Sequence, residues 1–238
     1  MKILTDLHTH TVASTHAFST VTENATAARE KGLELIAMTD HVSLCDSPHD
    51  WLFYSMGNLP KEISGIRVIK GIETNIMNEQ GEVYIPFHFG RPPLIELVLA
   101  AWHDGCRNSA FCPTSEDSFV RTMQNLASNK EVHIVAHMCR TPHFSRLDEI
   151  IPSMVYANKA IEINGFSFNA YAQENCRHLI HKCKEHGAKI AVNSDAHFYY
   201  HIGEFDPMIE YLIEIGYDEN LIVNRNKAAV LEFLGLED

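Results

Sequence analysis

Short apolar runs alternate with longer amphipathic stretches along the whole chain. Ile3 to His8 predicts a first strand, and Leu33 to Asp40 is a dense apolar run with the character of a buried second one. Between them Thr22 is placed to cap a helix from Glu23 to Lys31, with Gly32 at its end. Cys45 to Pro60 reads as an irregular loop. Ile66 to Glu73 predicts the third strand, and Asn78 to Gly90 allows a hairpin around Glu79-Gln80-Gly81. Leu94 to His103 predicts a fourth strand, although its Leu and Ala content also allows a helix. Ser115 to Ser128 predicts a helix capped by Ser115, and Val132 to Ala136 a fifth strand. Ser145 to Asn158 predicts a helix broken early by Pro152. Ala160 to Asn164 is the sixth strand, Tyr171 to His186 the clearest amphipathic helix, closed by Gly187, and Lys189 to Asn193 the seventh strand. Helices from Phe205 to Ile215, stopped by Gly216, and from Asn226 to Leu234 complete the pattern.

Strands that alternate with helices predict a parallel sheet with helical crossovers. Seven strands in a chain of 238 residues fit one barrel domain spanning residues 1–238. A doubly wound open sheet is the alternative, but no strand is followed by a Gly-rich dinucleotide fingerprint. The 45% hydrophobic content is enough for a sizeable core. The N-terminus has no apolar signal region, and the longest apolar stretch, Leu94 to Trp102, is short and interrupted by Glu96. Neither a secretory signal nor a membrane span is therefore expected. The six cysteines are scattered and form no Cys-x-x-Cys pair, which predicts reduced thiols in a cytoplasmic setting and no thiolate zinc site. A net charge of -12 counts against a nucleic-acid partner.

The 15 histidines change the picture most. His8 and His10 stand two apart at the end of the first strand, so both imidazoles project to one face. His41 follows the second strand, Glu73 ends the third, His103 ends the fourth and His137 the fifth. Asp195 and His197 follow the seventh. A parallel barrel gathers such strand ends at one mouth. Any one of these residues reads equally well as a hydrogen-bonded loop or core residue. What departs from chance is the recurrence of metal-ligand types at almost every strand end. His178, His181 and His186 lie on a helix and read as solvated.

His8-Thr9-His10, Thr39-Asp40-His41, Gly71-Ile72-Glu73 and Ser194-Asp195-Ala196-His197 resemble the metal motifs of the PHP (polymerase and histidinol phosphatase) superfamily. The run from His10 to Ala17 is similar to that of its small bacterial YcdX-type phosphatases. The resemblance continues through Glu23 to Gly32, Gly203-Glu204-Phe205 and the C-terminal helix. It implies a distorted (β/α)7 TIM-like barrel with three divalent ions at its mouth, zinc first and manganese or iron also compatible. His8, His10, Glu73 and Asp195 would hold one ion. Glu73 would bridge to a second held by His103 and His137, and His16, His41 and His197 would hold the third.

The resemblance further implies hydrolysis of a small phosphorylated metabolite, a phosphomonoester, by a metal-bound hydroxide. Glu73 and Asp195 are then the catalytic carboxylates. Asp6 and Asp40 are placed to orient neighbouring imidazoles or, equally, to cap strand ends. Arg107 and Arg140 are candidates for the substrate phosphate, with a plain surface role as the alternative. The loops Asp104-Gly105-Cys106-Arg107 and Met138-Cys139-Arg140-Thr141-Pro142 depart from the YcdX type and leave substrate identity open. Cys139 could compete for a metal or be a buried thiol. Other readings are a histidinol-phosphate phosphatase, a phosphodiesterase or exonuclease, and a metal-holding regulatory module without turnover.

Overall fold

The apolar runs form strands whose order in the sheet follows their order in the chain. The computed structural model describes residues 1–42, 51–86, 94–103, 111–141, 143–169 and 172–237. The strands are β1 (Thr5–Asp6), β2 (Leu35–Met38), β3 (Glu62–Ile63), β4 (Ile66–Asn75), β5 (Leu97–Ala101), β6 (Ile134–Val135), β7 (Ala160–Asn164) and β8 (Lys189–Asn193). Seven of them pair in the order β1-β2-β4-β5-β6-β7-β8, all parallel. The helices are α1 (Val21–Glu30), α2 (Trp51–Ser55), α3 (Glu116–Ala127), α4 (Leu147–Tyr156), α5 (Gly165–Asn169), α6 (Gln173–His186), α7 (Asp206–Glu214) and α8 (Lys227–Leu234).

Alternation along each strand separates two cores. Leu35, Ala37, Ile69, Leu97, Leu99, Ile134, Ala160 and Ala191 form one buried cluster, contributed by the strands from β2 to β8. The alternate residues, among them Val98, Ala100, Val135, Ile161, Ile163, Ile190 and Val192, pack with Phe119, Met123, Ile150 and Leu179 of the helices. The first set therefore faces the barrel interior and the second the helical layer. Glu73, Glu162, Asn164 and Asn193 share the interior-facing parity of Ile69, Ala160 and Ala191, and all four are buried.

The barrel is nearly closed. Among the described residues β1 and β8 share no regular ladder, and Asn224 bridges the gap. Its amide donates to the carbonyls of Thr5 (3.1 Å) and Val192 (2.6 Å), and its Oδ1 accepts from the Val192 N–H (2.9 Å). Toward the mouth the backbone closes directly, Asp195 N–H donating to His8 O (3.0 Å) and His10 N–H to Ala196 O (2.8 Å). Backbone groups that would be orphaned at the seam are thus satisfied.

Several expectations are corrected. α1 is capped by Thr20, not Thr22, because Glu23 at the third helical position bonds back to the Thr20 N–H and completes a capping box. Pro152 lies inside α4 without breaking it, since burial of Leu147, Ile150, Ile151 and Met154 outweighs one lost backbone bond. The loop from Cys45 to Pro60 contains α2 and a 3-10 turn, Met56–Asn58, and its residues 45–50 lie outside the described residues. β3 was not anticipated. It pairs antiparallel with β4 across Ser64 and Gly65, both at positive φ (54° and 79°), as a two-residue hairpin requires. Within Leu94 to His103 the residues Leu97–Ala101 form a strand rather than a helix, and α6 spans Gln173–His186, with Tyr171 lying outside the described residues. The turn at Glu79-Gln80-Gly81 forms, with Ile76 opposite Val83. A Cβ on Gly81 would meet the Leu126 backbone nitrogen at 2.4 Å, so this turn docks against α3 only with glycine there. Among the described residues no helix is long and apolar enough to cross a membrane.

Candidate metal centre

Glu73 is the hub. It lies near the end of β4, buried to 1% exposure, with its two oxygens facing different imidazoles. Oε2 is 3.2 Å from His8 Nε2, 3.4 Å from His10 Nε2 and 3.0 Å from His41 Nδ1. Oε1 is 3.0 Å from His103 Nε2 and 2.6 Å from His137 Nε2. Asp195 Oδ1 completes the inner group, 3.4 Å from His8 Nε2 and 3.2 Å from His10 Nε2. Farther out, the Nε2 atoms of His16 and His197 approach to 2.9 Å, and the His197 ring stacks on that of His10 at 4.2 Å. All nine residues expected at the mouth are brought together there.

The fold holds most of these rings from behind. Nδ1–H of His8 donates to Glu162 Oε1 at 2.6 Å, which turns Nε2 toward Glu73 and Asp195. His103 is held through Nδ1 by Asn75 Oδ1 (2.7 Å). His10 Nδ1 is 3.1 Å from Ser14 Oγ, which also accepts the His41 N–H (3.1 Å). Glu162 further accepts the His137 N–H (2.8 Å) and the Asn193 amide (2.9 Å), so one buried carboxylate ties four strand ends. Two site residues carry positive φ without being glycine, His137 (28°) and Asp195 (58°). Such backbone costs on the order of 1–3 kcal/mol and persists where surrounding bonds over-determine it.

The electrostatics suit a cation. Burial opposes charge on Glu73, but His103, His8 and His41 hold its carboxyl well below the usual range. Burial likewise opposes charge on Asp195, and His8 and His10 outweigh it. Burial pushes His10 well below the ordinary imidazole value, with His41 adding to the shift. Burial and then Arg140 lower His137. For His8, burial works against the imidazolium, yet Glu162, Asp195 and Glu73 raise it well above the ordinary value. Anionic carboxylates beside imidazoles that burial favours in the neutral form, as at His10 and His137, attract positive charge to one place.

The residues fit divalent ions. Among the described residues, His8 Nε2, His10 Nε2 and Glu73 Oε2 are buried without a hydrogen-bond partner. Buried polar atoms left so are costly unless something else satisfies them. Three groups could each hold an ion, with ligand atoms within 4.8 Å of one another: His8, His10 and Asp195; His41, Glu73 and His103; and His10, His41 and His197. Nitrogen and carboxylate donors suit zinc, manganese or iron.

The auxiliary expectations fare unevenly. Asp40 acts through Ser14 rather than on a ring: it accepts from Ser14 Oγ (2.6 Å), Thr11 N–H (2.7 Å) and Thr11 Oγ1 (2.8 Å). Asp6 takes the strand-end role, accepting from Ser194 Oγ (2.6 Å) and Gly203 N–H (3.1 Å). Burial pushes its carboxyl up to about 6 against those bonds. Arg140 points to the site, Nη1 3.6 Å from Asp195 Oδ2. Arg107 and Cys106 lie outside the described residues. Cys139 is buried, and its thiol bonds that of Cys176. Glu162, Asn75 and Ser14 were missed. The signal for Glu162 was available: in Ala160-Ile161-Glu162-Ile163-Asn164, acid and amide alternate with isoleucine inside a buried strand.

A nearly closed parallel barrel with histidines and carboxylates gathered at its C-terminal strand ends has the build of a metal-dependent hydrolase. The family model described as "PHP domain" matches residues 6–218, and the chain belongs to that family. A "Probable phosphatase" of Thermoanaerobacter sp. (strain X514) is 36% identical over 239 residues, covering 98% of this chain and 95% of the relative. One of Shewanella loihica (strain ATCC BAA-1088 / PV-4) is 35% identical over 238 residues, covering 98% and 94%. The fold is similar to that of histidinol phosphate phosphatase from Lactococcus lactis subsp. lactis Il1403, solved with zinc, L-histidinol and phosphate. The TM-score is 0.61 at 18% identity, covering 90% of this chain and 94% of that one.

Proposed function

We propose that the chain hydrolyses a small phosphomonoester at a centre of three divalent ions in the barrel mouth. The chain is a metal-dependent phosphatase, in keeping with its family and with the phosphatases it resembles over nearly its whole length. The observation that carries the multi-ion reading is the bifacial placement of Glu73, one oxygen toward His8 and His10 and the other toward His103 and His137. A carboxylate so placed suits bridging two ions. His8, His10, Glu73 and Asp195 would hold the first, and His103, His137 and Glu73 the second. The approach of His16 to His197 at 2.9 Å, with His41 stacked on His16 at 5.0 Å, supports a third held by those rings. Zinc is the first choice, and manganese or iron fits the same donors.

Divalent ions held there would supply Lewis acidity for the attack of water on phosphorus. The chain supplies the positioning. Glu162 fixes the His8 tautomer, Ser14 relays Asp40 to His10 and His41, and Arg140 offers a guanidinium to the substrate phosphate. Arg107 is a second candidate for that role. The resemblance carried by the run from His10 to Ala17 favours the YcdX type, with residues 1–238 acting as one domain.

The test is an assay of purified protein of measured metal content against a chromogenic phosphomonoester, a phosphodiester and single-stranded DNA. Monoester turnover that is lost in His16→Ala and Asp195→Ala supports the reading. Turnover of diester or DNA in preference to monoester replaces it with the nuclease reading. No turnover of any substrate at full metal occupancy leaves a metal-holding module instead.

A further inference from the structure

The cavity of about 720 Å³ over the centre is walled by rings as well as by ligands. Phe18, Phe166 and Phe198 line it and are 77%, 56% and 38% exposed. Phenyl groups left this far in water around one cavity point to a binding surface rather than a packing need. The three rings come from separate parts of the chain, each tied to the centre. Phe18 lies two residues after His16, and its N–H donates to His197 O at 2.8 Å. Phe198 follows His197 directly. Phe166 is the second residue of α5 and stands two residues after Asn164, whose amide donates to Asp195 Oδ2 at 3.0 Å. The Arg140 guanidinium joins the two environments, its Cζ 5.9 Å from the centre of the Phe166 ring and its Nη1 3.6 Å from Asp195.

We infer that this wall selects phosphomonoesters whose alcohol carries an aromatic ring, with Phe18, Phe166 and Phe198 as specificity-determining residues. The inference rests on the phosphatase reading above and narrows its substrate class. With the phosphate at the centre beside Arg140, the ester oxygen points the alcohol along the same cavity. A flat ring there covers apolar area on the phenyl groups, and aromatic pairs add to simple burial. A short alkyl group covers little of it. The cavity volume accommodates such an ester, and the net charge of -12 disfavours a polyanion in its place.

The test compares 2-phenylethyl phosphate with ethyl phosphate. Both leave as primary alkoxides, so the ring is the main difference. The metal-loaded protein is expected to show a kcat/KM at least about tenfold higher for the ring ester. A matching preference in Kd is expected for 2-phenylethylphosphonate over ethylphosphonate by calorimetry. Phe18→Ala, Phe166→Ala and Phe198→Ala each reduce both ratios, and the triple variant brings them below about threefold. Equal kcat/KM for the two esters, or ratios unchanged in the triple variant, overturns the inference while leaving the phosphatase reading intact. Turnover of neither ester with the phosphonate preference present supports the ring wall and contradicts the phosphatase reading. Turnover of neither ester and binding of neither phosphonate overturns both.

Discussion

The two halves of the mouth are built differently. In the inner half His8 and His10 are fully buried, His137 is 2% exposed and Glu73 1%. There His8, His10 and His103 are braced from behind by Glu162, Ser14 and Asn75. The outer half hangs on loops. His16 is exposed, following a 3-10 turn, Val12–Ser14, and the His197 side chain keeps 30% of its surface. Among the described residues the His197 ring meets the Asp195 carbonyl, 3.0 Å from its Nδ1, and the equally loop-borne His16, 2.9 Å from its Nε2. Ligands fixed in advance lose little rotamer freedom when an ion arrives, whereas exposed ones lose more and compete with water. The inner half should therefore hold its ions more tightly.

Removing the hub has the largest expected effect. Glu73→Gln keeps the shape but removes the charge shared by both faces, and turnover should fall on the order of 10³-fold with loss of bound metal. Metal analysis alongside kinetics checks this; near-normal metal content would show that Glu73 is not a bridge. Glu162→Gln comes next. It leaves His8 without its charged brace, and inner-half metal affinity should weaken about 10- to 100-fold. Competition with a chromogenic chelator measures it, and unchanged affinity would reduce Glu162 to a core hydrogen-bonding group.

His133 offers a control outside the mouth. Its Nδ1 accepts the Val98 N–H at 3.1 Å, which requires the neutral ring, and burial, with Lys159 adding, lowers it to about 4. The unfolded chain takes up a proton near pH 6.5 that the folded chain refuses until about pH 4. His133 thus contributes stability above pH 6.5 that is lost as pH falls toward 4, up to about 3 kcal/mol. Chemical denaturation of the chelator-treated protein across this range should show that slope on top of the one contributed by His10 and His137, and His133→Gln should reduce it. The smallest effect is expected at Ser14. Ser14→Ala frees His10 and leaves Asp40 short of one donor, at a cost of about 1 kcal/mol in thermal unfolding.

Much of this contrast could be read from the chain. The mouth residues were legible because parallel strands deliver their ends to one place, so position after an apolar run is itself spatial information. Glu162 escaped because the reading attended to residues after strands, not to a charge within one. Asn224 escaped for another reason. It lies far beyond β8 and joins β1 to β8 by bonds that no local pattern announces. Thr20 and Thr22 differ only in which one places Glu23 three positions later, and the reciprocal bond decides for Thr20. Local propensity predicts a break at Pro152, and tertiary burial of the α4 face overrides it. The phenyl wall had no sequence signature, since Phe18, Phe166 and Phe198 come to line one cavity only through the fold.

Metal content tests the three-ion account most directly. Wild-type protein saturated with zinc and passed through a desalting column is measured beside His16→Ala by elemental analysis. The account predicts three ions per chain in the wild type and two in the variant, the lost ion being the one that a mild chelator removes first from the wild type. Two ions or fewer in the wild type, or equal content in both proteins, would contradict it.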